Sequence, residues 1–339
     1  MSIRGVKMKK ELISDSGTKK KTIGVLTSGG DAPGMNGAIR AVTRAGLSAG
    51  YNVLGVRRGF HGLWRGDIVN LDSRSVSDVL HRGGTFLMTA RSETFKTEEG
   101  LQKAVDICEI FNIDIVVAIG GDGTARGAKS LSEKNIPVIV IPATIDNDIA
   151  ATEYALGYDT ALNTALQAID KLRDTASSHE RCSVVEVMGR HSGYIALSVG
   201  VASGAEVILV PEEEFDFDDD IVLTLIKDRN AGKRHYIVVM AEGVGLASDM
   251  AKKIEERTGI ESRSTQLGYL QRGGAPSFRD RWISSLMGVR AVQTINEGRY
   301  NRMIVHRDGD CGDVDLAEAL ASTKRPLDES LEMANLITI

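Results

Sequence analysis

The feature that most constrains this chain is a set of short, uninterrupted β-branched apolar runs, several of which lead straight into glycine. Thr22 to Thr27 (TIGVLT), Val53 to Val56, Ile113 to Ile119 (IDIVVAI) and Pro137 to Ile141 (PVIVI) are apolar at consecutive positions rather than alternate ones. Strands of that kind are buried on both faces, as in a parallel sheet covered by helices. Helices are expected between them, from near Gly34, Glu98, Thr124 and Asp159. A second set, Arg181 to Val187 (RCSVVEV), Glu206 to Val210 and Tyr236 to Ala241 (YIVVMA), repeats the alternation. The expected fold class is therefore α/β, two doubly wound (Rossmann-like) lobes, with a boundary near Gly157 and ligands beyond the carboxyl ends of the strands.

Glycine is over-represented, at 36 of 339 residues, about 11% against a usual ~7%. Hydrophobic content is ordinary at 42%, so the excess marks turns and close backbone approaches rather than low-complexity disorder. A net charge of −5 gives no nucleic-acid footprint, and an anionic ligand would need local basic sites. With no stretch of about 18 apolar residues, no membrane span is expected. Cys108, Cys182 and Cys311 form no CxxC pair and imply neither a disulfide framework nor a zinc site, so a reducing cytoplasm is the expected compartment. Residues 1–20 are basic, lack the apolar core of a secretory signal and are expected to form a flexible tail, with Met8 as an alternative start.

Three strand-end loops carry the chemistry. Thr27 to Asn36 (TSGGDAPGMN) removes side chains at Gly29, Gly30 and Gly34 just before a helix, which serves either phosphate binding at a helix N-terminus or a tight turn. Gly120 to Thr124 (GGDGT) and Pro142 to Asp148 (PATIDND) both carry carboxylates. Asp122 between glycines suits Mg²⁺ beside phosphates or a helix cap, and a second acidic loop at a neighbouring strand end favours a site. Arg91, Arg181, Arg190 (in EVMGRHSG), Arg263 and Arg272 (in GYLQRGG) each fit a surface ion pair. Their recurrence beside glycine in an acidic chain fits forked phosphate recognition. Other patterns are set aside. Gly123 to Lys129 lacks P-loop spacing, His306-Arg307-Asp308 is expected to be a surface loop, Asp308 to Asp315 is no calcium loop, and Asp216 to Asp220 reads as a solvated helix start.

TSGGDAPGMN, RGGTFL, GGDGT, PATIDND, SSHERCSVVEVMGRHSGY and LGYLQRGG, in this order, closely resemble the 6-phosphofructokinase family over roughly Lys21 to Arg325. GGDGT alone would be weak, being shared with other kinases. The resemblance implies an ATP-dependent, bacterial-type enzyme that phosphorylates the 1-hydroxyl of fructose 6-phosphate. It implies Asp146 as base, Arg190 as transition-state arginine and Thr144 beside the base. ATP would lie against Gly30, Arg91, Ser92, Gly121, Asp122, Gly123 and Thr124, with Mg²⁺ on Asp122. Arg181, Met188, Gly189, Arg190, Glu242, Arg263, Tyr269 and Arg272, with Thr144 and Asp146, would take the sugar phosphate. In bacterial members the counterparts of Arg181 and Arg263 come from a neighbouring subunit, so a homotetramer is expected.

Donor choice rests on Gly123 and Ala143. Pyrophosphate-dependent members typically carry a bulkier acidic residue at the first and lysine at the second, so two small neutral residues favour ATP. The chain departs from the family at Tyr269, where histidine is usual, at Lys96, where many members have arginine, and at Ala143, where bacterial ATP enzymes commonly have glycine. At the effector site Arg40, Arg44, Arg173 and Lys233 match, while Arg74 replaces tyrosine and Ala231 a basic residue. The larger, nucleotide-binding lobe is expected at 21–157 with about 271–321, and the smaller, sugar-phosphate lobe at 158–270 with 322–339. The rival readings are a pyrophosphate-dependent enzyme and a non-catalytic sugar-phosphate or nucleotide sensor.

Overall fold

The computed structural model describes residues 20–323 and 327–337. The basic stretch 1–20 therefore lies, except for Lys20, outside the described residues, as do 324–326 and 338–339 of the C-terminal segment. In chain order the strands are β1 (Thr22–Ser28), β2 (Asn52–Val56), β3 (Ile68–Asn70), β4 (Ile115–Gly120), β5 (Val138–Pro142), β6 (Cys182–Val187), β7 (Val207–Leu209), β8 (Tyr236–Ala241), β9 (Ser262–Gln266), β10 (Arg302–Arg307) and β11 (Asp310–Asp315). The helices are α1 (Met35–Ser48), α2 (Gly59–Leu63), α3 (Glu98–Ile110), α4 (Asp122–Glu133), α5 (Tyr158–His179), α6 (Tyr194–Ser203), α7 (Leu223–Asn230), α8 (Ala247–Thr258), α9 (Phe278–Asn296), α10 (Leu316–Ala321) and α11 (Asp328–Ile337). Among them none is long and apolar enough to cross a membrane.

The strands form a seven-stranded sheet in the order β11-β10-β5-β4-β1-β2-β3 and a four-stranded sheet in the order β7-β8-β6-β9. Pairing is parallel except at β2/β3 and β10/β11. The continuous apolar runs follow from burial on both faces. In β4, Ile115, Val117 and Ile119 join one core and Val116 and Ala118 another. In the smaller sheet Val185, Val187, Ile237 and Val239 share the first core, while Val184, Val238 and Met240 face a third, under α8. The first core thus runs between the sheets and makes them one body.

This strand order determines where ligands bind. β2 lies on one side of β1 and β4 on the other, so the connections leave β1 and β4 in opposite directions and their carboxyl ends open a crevice. β6 and β8 are related in the same way in the smaller sheet, with the connections from them leading to β7 and β9 at opposite edges.

Some elements differ from the sequence expectations. α4 begins at Asp122 rather than near Thr124, which puts the GGDGT acid in the first turn of the helix. His306 and Arg307 are not in a surface loop: they end β10, the His306 ring is buried, and only Asp308 sits in the hairpin turn. The Asp308 to Asp315 stretch is that hairpin, with Asp313 buried beneath Arg290, Arg299 and Arg302. At the expected helix start, Asp216 accepts from the N–H groups of Asp218 and Asp219, both at 2.9 Å.

One buried carboxylate joins the lobes. Asp280, in the first turn of α9, is 0% exposed. It accepts from Tyr154 Oη and Gly157 N–H, each at 2.7 Å, and from the N–H and hydroxyl of Thr160. These donors surround the N-terminus of α5, where a negative charge is favoured. Asp280→Ala strands those groups in the interior, and we expect a loss of about 3–5 kcal/mol, visible as a lowered urea midpoint. Thr160→Ala, which removes one donor, is expected to cost a fraction of that.

Candidate active site

The β1 and β4 loops, the segment bearing Thr89 and Arg91, the TIDND loop after β5 and the loops after β6 and β9 enclose a cavity of about 450 Å³. Gly30, Arg91, Gly121, Asp122, Gly123, Thr124, Ala143, Thr144, Asp146, Arg190 and Arg272, all singled out from sequence, line it. Gly29, Asp31, Thr89, Ile145 and Asp148 line it too. Asp31 and Asp148 lie inside the quoted motifs, directly after strands, and that position was their only signal.

Local chemistry fixes each wall. Gly29 adopts φ 82°, and Thr89 donates its hydroxyl to the Gly29 carbonyl at 2.7 Å, tying the first glycine turn to the segment bearing Arg91. A Cβ on Gly30 would lie 2.1 Å from Arg272 Nη1, so only glycine lets that guanidinium lie across the turn. A Cβ on Gly83 would meet the Gly274 carbonyl oxygen at 2.2 Å, so the two paired-glycine motifs touch backbone to backbone. The first turn of α4 presents backbone N–H groups and the positive helix end to the same space.

Asp146 is the most perturbed acid here. It is 3% exposed, and burial with the neighbouring Asp148 pushes its pKa up to about 6, against the pull of Arg272 and Arg190. Its N–H donates to Thr144 Oγ1 at 3.2 Å, and Asn147 pins the loop by donating to the Glu153 carbonyl at 3.1 Å and accepting from Ala155 N–H at 2.9 Å. Asp146 Oδ1 and Arg272 Nε are both buried without a hydrogen-bond partner among the described residues. Native interiors rarely leave such groups unsatisfied outside functional sites. A buried carboxylate with a raised pKa and a free oxygen suits the role of proton acceptor for a substrate hydroxyl.

A second cavity of about 460 Å³ adjoins the first. Phe60, Phe95, Leu101 and Gly127 give it an apolar floor, with Arg91, Ser92, Lys96 and Arg126 around it. Phe60, Phe95 and Leu101 come from α2, the turn before α3 and α3 itself, and none of the three lies in a quoted motif. Gly123 and Thr124 border both cavities. Nothing lies within 4 Å of a Cβ built on Gly123, so a side chain there would project into open space at the junction.

The donor set fits a magnesium ion. That ion takes one or two carboxylates and completes its shell with water and phosphate oxygens, and no cage of three or more acidic, His or Cys side chains exists among the described residues. Asp122 offers its carboxylate at the phosphate cavity, where Arg126 Nε now holds Oδ2 at 2.9 Å. Both partners are largely exposed, so this pair is easily given up.

Other predicted residues lie around or away from the cavity. Met188, Gly189 and Glu242 stand at the ends of β6 and β8 beside Arg190. Tyr269 is 82% exposed, its ring 6.0 Å from the Arg272 guanidinium. Arg181 and Arg263 lie at the opposite ends of β6 and β9, about 16 Å of strand from Arg190, and both pair with Glu261. In a parallel sheet those ends cannot reach the chain's own cleft. Arg40 and Arg44 are on α1, where Arg44 reaches the Ser73 carbonyl. Arg173 is held by the Ser203 and Gly204 carbonyls and Lys233 by Glu206.

Helix-terminal amides, arginines and a proton acceptor lining one cavity define a phosphotransferase with a hydroxyl acceptor. The phosphofructokinase profile matches residues 22–295, and the chain belongs to the phosphofructokinase family. It is 54% identical over 311 residues to the ATP-dependent 6-phosphofructokinase of Clostridium tetani, covering 92% of this chain and 97% of that one. Against the ATP-dependent 6-phosphofructokinase of Alkaliphilus metalliredigens it is 50% identical over 319 residues, covering 94% and 100%. Phosphofructokinase from Saccharomyces cerevisiae superimposes with a TM-score of 0.84 at 32% identity over 94% of this chain, which spans 47% of the yeast chain. A pyrophosphate-dependent phosphofructokinase from Marinobacter aquaeolei shares the fold, with a TM-score of 0.81 at 22% identity, covering 91% of this chain and 86% of that one.

The raised pKa of Asp146 has a thermodynamic sign. With the folded value near 6 and the unfolded value near 4, the native state holds the proton more tightly between them, so the residue weakens the fold as pH rises through that window. Asp146→Asn is therefore expected to be more stable than wild type at pH 7.5, by about 1–3 kcal/mol. Melting curves should show the gain shrinking toward pH 4.

Proposed function

We propose that this chain transfers the γ-phosphoryl group of ATP to the 1-hydroxyl of fructose 6-phosphate, yielding ADP and fructose 1,6-bisphosphate, as an ATP-dependent 6-phosphofructokinase. The observation that carries this reading is the meeting of Asp146 and Arg190, from different lobes, in one cavity with the α4 N-terminus and the Gly30 turn. Asp146 Oδ1 accepts the hydroxyl proton as the sugar oxygen bonds to phosphorus and the bond to the ADP oxygen breaks. Arg190 stabilises charge on the passing phosphoryl oxygens, and the Gly30 turn and first-turn amides of α4 align the chain of phosphates. A magnesium ion, held by Asp122 and the phosphates, neutralises charge on the donor when bound.

The apolar cavity under Phe60 and Phe95, beside Arg91 and Ser92, suits a nucleoside. It distinguishes ATP from pyrophosphate, which has nothing to place there. Its opening at Gly123 favours ATP, and Ala143 keeps a cation out of the phosphate wall. We assign the nucleotide to the lobe of residues 21–157 with about 271–321, and the sugar phosphate to residues 158–270 with 322–339. Met188, Gly189, Glu242, Tyr269 and Arg272 serve the sugar phosphate from this chain. Arg181 and Arg263 face away from the cleft, which supports their service to a neighbouring copy in a homo-oligomer, with a tetramer as the expected form and the cytoplasm as its compartment. Arg40, Arg44, Arg173 and Lys233 are proposed effector contacts on the family resemblance.

Purified protein assayed with ATP or pyrophosphate as donor, and with a panel of sugar phosphates, tests the reading. We expect turnover with ATP and fructose 6-phosphate; turnover with pyrophosphate alone refutes the donor, and absence of product with either revives the sensor reading. Gly123→Asp, which the open backbone geometry accommodates, is expected to raise KM for ATP at least tenfold with an unchanged melting temperature. Asp146→Asn is expected to lower kcat by about 10²–10⁴-fold. Wild-type kcat/KM is expected to rise with pH to a plateau above about 6, as Asp146 of the free enzyme ionises.

A further inference from the structure

Arg190 does not reach the cavity on a relaxed backbone. It adopts φ 57°, in the left-handed region that non-glycine residues avoid, and Gly189 before it has φ 148°. Something must hold this turn, and the structure shows what does. Gly189 N–H and Arg190 N–H, at 3.1 and 2.7 Å, both donate to one carboxylate oxygen, Oε1 of Glu242. Two successive amides converging on an anion form a nest, here closed by a side chain of the protein itself. Glu242 directly follows β8, whose last residue, Ala241, pairs with Val187 at the end of β6. Glu242 N–H also donates to the Val187 carbonyl at 2.9 Å, so the carboxylate is anchored on the sheet. A Cβ on Gly243 would lie 2.6 Å from the Arg190 carbonyl oxygen, so glycine next to Glu242 is what lets the two segments come together. Met188 N–H is held separately, by Gln271 Oε1 at 2.8 Å.

We propose that Glu242 is a positioning residue for Arg190: its carboxylate holds residues 189–190 in the conformation from which the guanidinium enters the phosphoryl-transfer cavity. This goes beyond the sugar contact implied by the family resemblance, and it rests on the role given to Arg190 above. A sugar contact alone predicts a raised KM for fructose 6-phosphate with kcat largely kept. Positioning predicts a fall in kcat that exists only while Arg190 is present.

The test is a double-mutant cycle of Glu242→Ala and Arg190→Lys, the latter keeping measurable turnover, with kcat and KM recorded for each variant and melting curves to verify folding. Glu242→Ala is expected to lower kcat about 30-fold in the wild-type background and less than about threefold in the Arg190→Lys background, and Glu242→Gln, which keeps an acceptor oxygen, to recover part of the loss. Equal kcat losses in both backgrounds, or a rise in KM alone, overturn the clamp while leaving the enzymatic reading intact. Wild-type turnover that Arg190→Lys leaves unchanged overturns the role of Arg190 instead, and no wild-type turnover overturns the reading on which both rest. A crystal structure of Glu242→Ala gives a second readout: Arg190 still near φ 57° overturns the clamp, whatever the kinetics.

Discussion

The relation between the lobes depends on one buried negative charge. Asp280 begins α9, which packs along α1 of the larger lobe, yet its oxygens are occupied by the start of α5 and by the preceding tyrosine, Tyr154. α5 is the long element that leads into the smaller sheet. A carboxylate with four donors at a helix N-terminus has little freedom to shift, because any displacement exposes an unpaired charge to apolar surroundings. These hydrogen bonds fix the start of α5 against α9 behind the cleft, alongside the apolar core that the two sheets share.

Within that frame the cleft shows how an acidic protein receives acidic ligands. The chain carries a net charge of −5, but it directs Arg91, Arg190 and Arg272 and the positive end of α4 into one space. Asp146, Asp148 and Asp31 stand opposite. Groups of both signs, partly desolvated and not fully paired with one another, are poised for charges that develop during reaction rather than for each other. The fold is less stable for it, and the raised pKa of Asp146 has the same origin, in burial and the neighbouring Asp148.

The legible part of this architecture was the part with a one-dimensional signal. Strands buried on both faces announce themselves by unbroken apolar runs, and glycine-rich loops at their carboxyl ends mark the crevice, so β1, β4, β5, β6 and β8 and the loops after them were readable. The polar edge strands were not, although the apolar edge strand β7 was. β9 (SRSTQ) and β11 (DCGDVD) are polar strands at sheet margins, with neither alternation nor apolar continuity to reveal them. His306 looked exposed because its motif neighbours are charged, while its strand partner and Tyr154 bury it. The floor of the nucleoside cavity escaped because Phe60, Phe95 and Leu101 converge only after α2 and α3 have packed. The resemblance supplied residue roles that spacing alone left open, but not the Glu242 clamp, which joins residues 52 positions apart through backbone amides.

The hairpin at the sheet margin has a consequence for how the sequence can drift. Three arginines, at 290, 299 and 302, share one nearly inaccessible aspartate, Asp313. Loss of any one cation still leaves the anion with two. Loss of the anion leaves three guanidinium groups around a vacated interior position, which the more exposed Glu297 and Asp315, already paired with them from outside, do not fill. The cluster is redundant on its cationic side and has a single buried anion, so tolerance to substitution there is unequal: the arginines can wander singly, and the aspartate cannot.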